Sequence, residues 1–211
     1  MLKERVETTA HRLGLPKINT PVFSSCPVGI RFEIGIGDPF FCHRLRILNR
    51  KYFRRALHRA VSIYQNAPGM FDTLLWIIYP DGENTEDGLM RFSGITGLSL
   101  PQERYMETLS LDGDGEPFDE ERCYWDLQEH PANIERLFDE ILRTDFGGFR
   151  ELQYWVYLID TGLNVLLNLY DDRGLDIAAA SGETIFPLYK KFGEWILEDD
   201  REQIDRTFEG L

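Results

Sequence analysis

"LQYWVYLIDTGLNVLLNLYDDRGLDIAAA", residues 152–180, holds three apolar runs separated by two turn-forming tetrads. "LQYWVYLI" (152–159) and "NVLLNLY" (164–170) have strand length and strand composition. The "DTGL" between them is too short for a crossover, so the two runs are neighbours in a hairpin-like, antiparallel pair. "LDIAAA" (175–180) is a third strand, reached through Asp171, Asp172, Arg173 and Gly174. Those four residues also raise the question of a charged catalytic cluster. Aspartate favours early turn positions because its carboxylate accepts backbone N–H groups, and glycine supplies a positive φ near the end of a turn. A catalytic site needs a further nucleophile or metal ligand, and none stands beside the tetrad. The turn reading is adopted, with Arg173 as an ordinary exposed residue.

Working outward, "VGIRFEIGIG" (28–37) alternates Ile30, Phe32, Ile34 and Ile36 against Arg31, Glu33, Gly35 and Gly37, the period of a half-buried strand. "TLLWIIY" (73–79) is a continuous apolar run, which predicts a central strand covered on both faces. "RCYWDL" (122–127) reads as another strand, and "GLMRFSGI" (88–95) as a less regular one. Helices are predicted over 2–13, over 49–67 with Asn49 as N-cap, and from about Pro131 with Ile134, Leu137, Phe138, Ile141 and Leu142 inward. Two more are predicted over 183–197 and 200–208. Helices and strands interleave without regular βαβ alternation. The expectation is a single α+β domain over residues 1–211, a mostly antiparallel sheet with flanking helices. The turn-rich, acidic stretch of about 80–122 is its irregular and variable part.

At 211 residues the chain has enough length for one sizeable core, and 13% aromatic content supplies large buried areas. The start, "MLKERVETTAHRLGL", has no apolar signal core, and no run approaches the ~20 apolar residues of a membrane span. Cys26, Cys42 and Cys123 are odd in number and form no CxxC pair. These features predict a cytoplasmic protein with free thiols, no membrane contact and no structural zinc.

Charge is distributed unevenly. Residues 1–71 carry 12 Lys/Arg against 4 Asp/Glu, whereas the rest carries 11 against 32, for a total of −13. An exterior of that sign repels nucleic-acid phosphates and attracts a basic protein. From Pro39 to Phe71 there are seven Lys/Arg and no Asp/Glu. Nucleic-acid binding would interleave stacking aromatics with that stripe, but Tyr52, Phe53 and Tyr64 fall on the opposite, core-facing side of the helix. The simpler expectation is that this basic face packs beside acidic loops, with some arginines solvated.

The recognisable chemical motifs fail one by one. "DGDGEPFDEERC" opens like an EF-hand loop, but Pro117 occupies the glycine position and Cys123 the bidentate glutamate position. "GIGDPF" has Phe40 where the third glycine of a dinucleotide loop belongs, and there is no P-loop. His11, His43, His58 and His130 are scattered, without HExxH spacing. Cys26, in "SSCPVG", is a nucleophile only if the fold brings a base such as His43 or His58 near it. No catalytic residue, cofactor or metal ligand is assigned.

"IRFEIG" (30–35), "RRALHRA" and above all "YDDRGLDIAAASGETIFPLYKKFGEWILEDDREQID" (170–205) resemble a bacterial family of domains of unknown function. Its members end in an Asp-Asp-Arg-Gly hairpin, an Asp-Ile strand, a Leu-Tyr helix, a Trp-Ile-Leu segment and an Asp-Arg-Glu turn. The resemblance carries no established reaction or cofactor. Its likeness to small acidic proteins in bacterial toxin neighbourhoods implies immunity: a protein that binds and neutralises a cognate toxin, a nuclease among the candidates. Asp112, Asp114, Glu116, Asp119, Glu120 and Glu121 are the expected partner contacts, with Glu198, Asp199 and Asp200 as a second patch. Alternatives are an enzyme with an unrecognised site, using Cys26 or a carboxylate cluster, and a cytosolic adaptor.

Overall fold

The computed structural model describes residues 1–19, 22–37, 39–42, 47–79, 85–109, 118–146 and 155–211. Its framework is a seven-stranded sheet in the order β1-β9-β8-β7-β4-β6-β5. The strands are β1 (Gly29–Glu33), β4 (Thr73–Ile78), β5 (Glu103–Leu109), β6 (Phe118–Asp126), β7 (Val156–Asp160), β8 (Val165–Leu169) and β9 (Gly174–Ala179); β2 (Phe41–Cys42) and β3 (Ile47–Leu48) form a separate small ribbon. Every neighbouring pair in the large sheet is antiparallel. The fold is therefore α+β with an antiparallel sheet, as the hairpin at 152–170 implies.

Both faces of the sheet are covered, which explains the unbroken apolar runs. On one side α1 (Leu2–Arg12) and the single turn α2 (Val22–Ser25) pack Leu2, Val6, Ala10 and Val22 against Leu75, Ile77, Tyr157, Ile159 and Leu166. On the other, α3 (Arg50–Asn66), α4 (Thr85–Thr96), α5 (Ile134–Ile141), α6 (Gly182–Lys191) and α7 (Arg201–Phe208) enclose Leu74, Trp76, Ile78, Leu158, Leu167 and Ile177. β4 lies between β6 and β7 with all six residues buried, so neither alternate set of side chains can be polar. Asn49 caps α3 by accepting the Lys51 N–H at 3.0 Å. Tyr52, Phe53, Ala56, Ala60 and Ile63 of that helix are buried.

The sequence expectations need correcting in three places. "GLMRFSGI" belongs to helix α4, not to a strand: Leu89, Phe92 and Ile95 recur every three residues, and Phe92 stacks on Trp76 at 4.5 Å. β5 was not foreseen and β6 starts four residues earlier than expected, so the stretch of 80–122 holds regular structure where it is described. α6 stops at Lys191, and a short 3-10 turn (Gly193–Trp195) follows in place of the longer helix. On the basic side of α3, two arginines reach main-chain oxygens. Arg55 donates to the Ile36 carbonyl at 2.9 Å and Arg59 to that of Glu33 at 2.7 Å, while Arg59 also lies over the Trp195 ring. His43, the glycines at 147–148 and the first residues of the 152–159 run lie outside the described residues.

Candidate functional site

The Asp171–Gly174 tetrad does turn the chain between β8 and β9, but it is more deeply embedded than an ordinary hairpin tip. Asp171 and Asp172 are buried. Asp171 accepts the Arg173 backbone N–H and Nε, both at 2.7 Å, which leaves most of the Arg173 side chain in solvent. Asp172 accepts the Tyr52 hydroxyl at 2.6 Å and so ties the turn to α3. The Arg173 carbonyl accepts the Ile34 N–H at 2.9 Å, extending the edge of β1 toward the turn. Gly174 is not needed for a positive φ. A side chain there would collide with the Tyr170 hydroxyl, and the left-handed residue of the neighbouring hairpin is Asn164, at φ 55°. Gly35 is required for close approach too, because a Cβ would strike Tyr52 and the Asp172 carbonyl.

Electrostatics separate the two aspartates. Burial pushes the Asp172 carboxyl above its ordinary range; the Tyr52 hydrogen bond opposes that shift and the nearby Asp171 charge adds to it. Two residues into β9, Asp176 is buried and accepts Arg31 Nε at 2.8 Å and Nη2 at 3.0 Å. Its second oxygen also takes the Phe23 N–H at 3.0 Å. Arg31 is thereby clamped by two parallel bonds, the strongest geometry available to a guanidinium–carboxylate pair.

Two clefts flank this turn. One, of about 300 Å³, is lined by Thr144, Asp145, Trp155, Asn168, Tyr170 and Arg173 among others. The second, of about 530 Å³, is bordered by Arg31, Glu33, Trp155, Asn168, Tyr170 and Asp176, and reaches Leu197. Asn168 donates its Nδ2 to the Val156 carbonyl at 2.9 Å, while its buried Oδ1 has no hydrogen-bond partner among the described residues. Sequence reading passed over Asn168, Trp155 and Tyr170 as strand residues. The available signal was an amide inside the otherwise apolar run "VLLNLY".

The reactive-group candidates are placed unfavourably for covalent chemistry. Burial, reinforced by Asp176, pushes the Cys26 thiol up to about 11, the opposite of an activated nucleophile. Burial likewise raises Cys123 to about 12. Among the described residues no three His, Cys, Asp or Glu side chains come together as a metal set.

The expected partner contacts divide into three groups. Asp112, Asp114 and Glu116 lie outside the described residues. Asp119 is exposed and its carboxylate accepts the Thr108 hydroxyl at 2.7 Å. Glu120 and Glu121 are withdrawn from the surface: Glu120 is paired with Arg122 at 2.5 Å and Lys17 at 2.7 Å, and Glu121 with Arg104 at 2.7 Å. β6 lies in a sheet covered on both faces, so consecutive residues, which point to opposite faces, are both buried whether charged or not. Glu198 and Asp199 are exposed, and Asp200 is half-buried, 3.5 Å from Arg31.

The model of a family described as Domain of unknown function (DUF3885) matches residues 7–200. The chain belongs to that family. No curated protein and no solved structure matches it. The DUF3885 match takes in β1, the Asp171–Gly174 turn, both clefts and the start of the C-terminal acidic segment. No helix among the described residues of this DUF3885 chain is long and apolar enough to cross a membrane.

Proposed function

We propose that this DUF3885 protein is an immunity-type protein of the bacterial cytoplasm, which binds and neutralises a basic toxin by surface complementarity. The observation that carries the reading is where the acid surplus resides. Among the described residues, five of the seven buried carboxylates are matched by a cation, Asp72 with Arg5, Glu120 with Arg122 and Lys17, Glu121 with Arg104, Asp171 with Arg173, and Asp176 with Arg31, while Asp160 and Asp172 accept neutral N–H and O–H donors. The other described carboxylates are exposed or half-buried, in a chain of net charge −13. Among the described residues one exposed acidic group is the C-terminal segment, where residues 193–211 hold seven carboxylates and two arginines. All those carboxylates but the half-buried Asp200 are exposed. A fixed negative face speeds encounter with a basic macromolecule and disfavours nucleic acid. Blocking a toxin needs no bond-making, in keeping with two cysteine thiols held protonated by burial. Glu198, Asp199, Asp200 and Asp119 are the contact residues of this reading, with Asp112, Asp114 and Glu116 adjoining by sequence.

Co-expression with the product of the adjacent open reading frame tests it. The expected result is a stable complex and relief of that product's toxicity. A soluble neighbour that forms no complex and is not restrained contradicts the proposal.

A further inference from the structure

We infer that the larger cleft beside the Asp171–Gly174 turn is a guanidinium site, into which an arginine side chain of the basic partner inserts. The inference deepens the neutralising reading above and rests on it. Four observations converge on that ligand chemistry. The cleft measures about 530 Å³, roomy enough for a side chain. Trp155 and Tyr170 give it aromatic walls; the Tyr170 ring already lies under Arg31 at 5.8 Å, so an incoming flat cation is held chiefly by the Trp155 ring. The cations of the region are already engaged: Arg31 by Asp176, Arg173 by Asp171, and Arg59 by the Glu33 carbonyl and the Trp195 ring. Acceptors are left over. Asn168, 1% exposed, lines the cleft with an unpartnered Oδ1, and the exposed Glu33 borders it as well.

Sign and position agree with this chemistry. Glu33, Asp171, Asp176 and Asp200 gather around three guanidiniums, and Leu197 at the cleft's border leads directly into Glu198, Asp199 and Asp200. The acidic face proposed to meet the toxin is thus continuous with the cleft. Arg31 and Arg173, which also line the cleft, already share their charge with Asp176 and Asp171, which lessens their pull on an anionic ligand. A guanidinium brings several N–H donors to acceptors that lack them, where a lysine ammonium offers no plane to stack. A buried, stacked arginine is a common energetic anchor of a protein interface, and an otherwise polar rim excludes water around it.

Titration of the full chain with N-acetyl-arginine-N-methylamide, followed by amide and indole NMR signals, tests the site. The isosteric, uncharged citrulline analogue and the lysine analogue serve as comparisons. Saturable shifts centred on the Asn168 side-chain amide and the Trp155 indole are expected for arginine, with none for citrulline and weaker ones for lysine. Glu33→Gln, at an exposed position, is expected to weaken arginine binding by up to about fivefold with the thermal midpoint unchanged. Trp155→Leu is expected to weaken it further, by about tenfold. Equal responses to arginine and citrulline, or no saturable response to arginine, overturn the site. The probe needs no partner, so the two ideas fail separately. An arginine titration that fails overturns the cleft assignment even where a neutralising complex forms, and a missing complex counts against neutralisation even where arginine binds.

Discussion

Asp172 shows at the scale of one residue how a turn position becomes a structural joint. Its carboxyl is buried, raised above the ordinary aspartate range by desolvation, and held by the Tyr52 hydroxyl. A raised native value means that the folded chain holds this proton more tightly than the unfolded chain does. Stability therefore falls as pH rises from the ordinary aspartate range through the raised native value, and it returns on acidification. Asp172→Asn keeps an acceptor for Tyr52 and removes the buried charge. It should match or exceed the parent's stability at pH 7, and the difference between the two proteins should vanish in acid. Asp172→Leu leaves the Tyr52 hydroxyl without its acceptor and should cost about 1–3 kcal/mol at either pH. Thermal midpoints across pH 3–8 check both, and a parent that gains on Asp172→Asn as pH rises contradicts the assignment.

Among the elements, legibility followed the pattern of burial. The runs at 73–79, 152–159 and 164–170 could be read because both faces of β4, β7 and β8 are covered, which leaves these runs almost wholly apolar, with Thr73 and Asn168 as buried polar exceptions. α3 could be read because Asn49 and a five-residue buried stripe mark its start and its face. β5 was hidden because it is an edge strand whose inner residues are polar. Glu103 accepts the Leu2 and Lys3 N–H groups, and Glu107 pairs with Lys17 at 2.6 Å, so charge occupies positions where apolar residues would betray a strand. The same masking misplaced Glu120 and Glu121, whose arginine partners belong to the sheet itself. Of the site, the tetrad and Asp176 were visible as charges. Asn168, Trp155 and Tyr170 become neighbours of one cleft only through strand pairing, which no local pattern announces. Glu120 supplies a direct check of its interior role. Glu120→Ala strands the buried Arg122 and should cost about 3–5 kcal/mol in denaturant unfolding. A loss of partner binding at unchanged stability would restore it to the surface.

On the scale of the whole molecule, a sheet covered on both faces makes a stiff body, and ion pairs hold most of the buried carboxylates in fixed partnerships. Among the described residues, exposed carboxylates gather around the C-terminal turn Glu198–Asp200 and helix α7. In the proposed reading this DUF3885 chain acts through a preformed field and shape, with the cleft beside the Asp171–Gly174 turn as an anchoring point. The most direct measurement is the association rate constant between this protein and the co-expressed product of the adjacent reading frame, taken from low to physiological salt. Steered association predicts a rate that falls steeply, by about tenfold or more, as salt rises, and that falls again in the Glu198→Lys/Asp199→Lys variant. A rate indifferent to both salt and that double reversal would contradict the electrostatic basis of recognition.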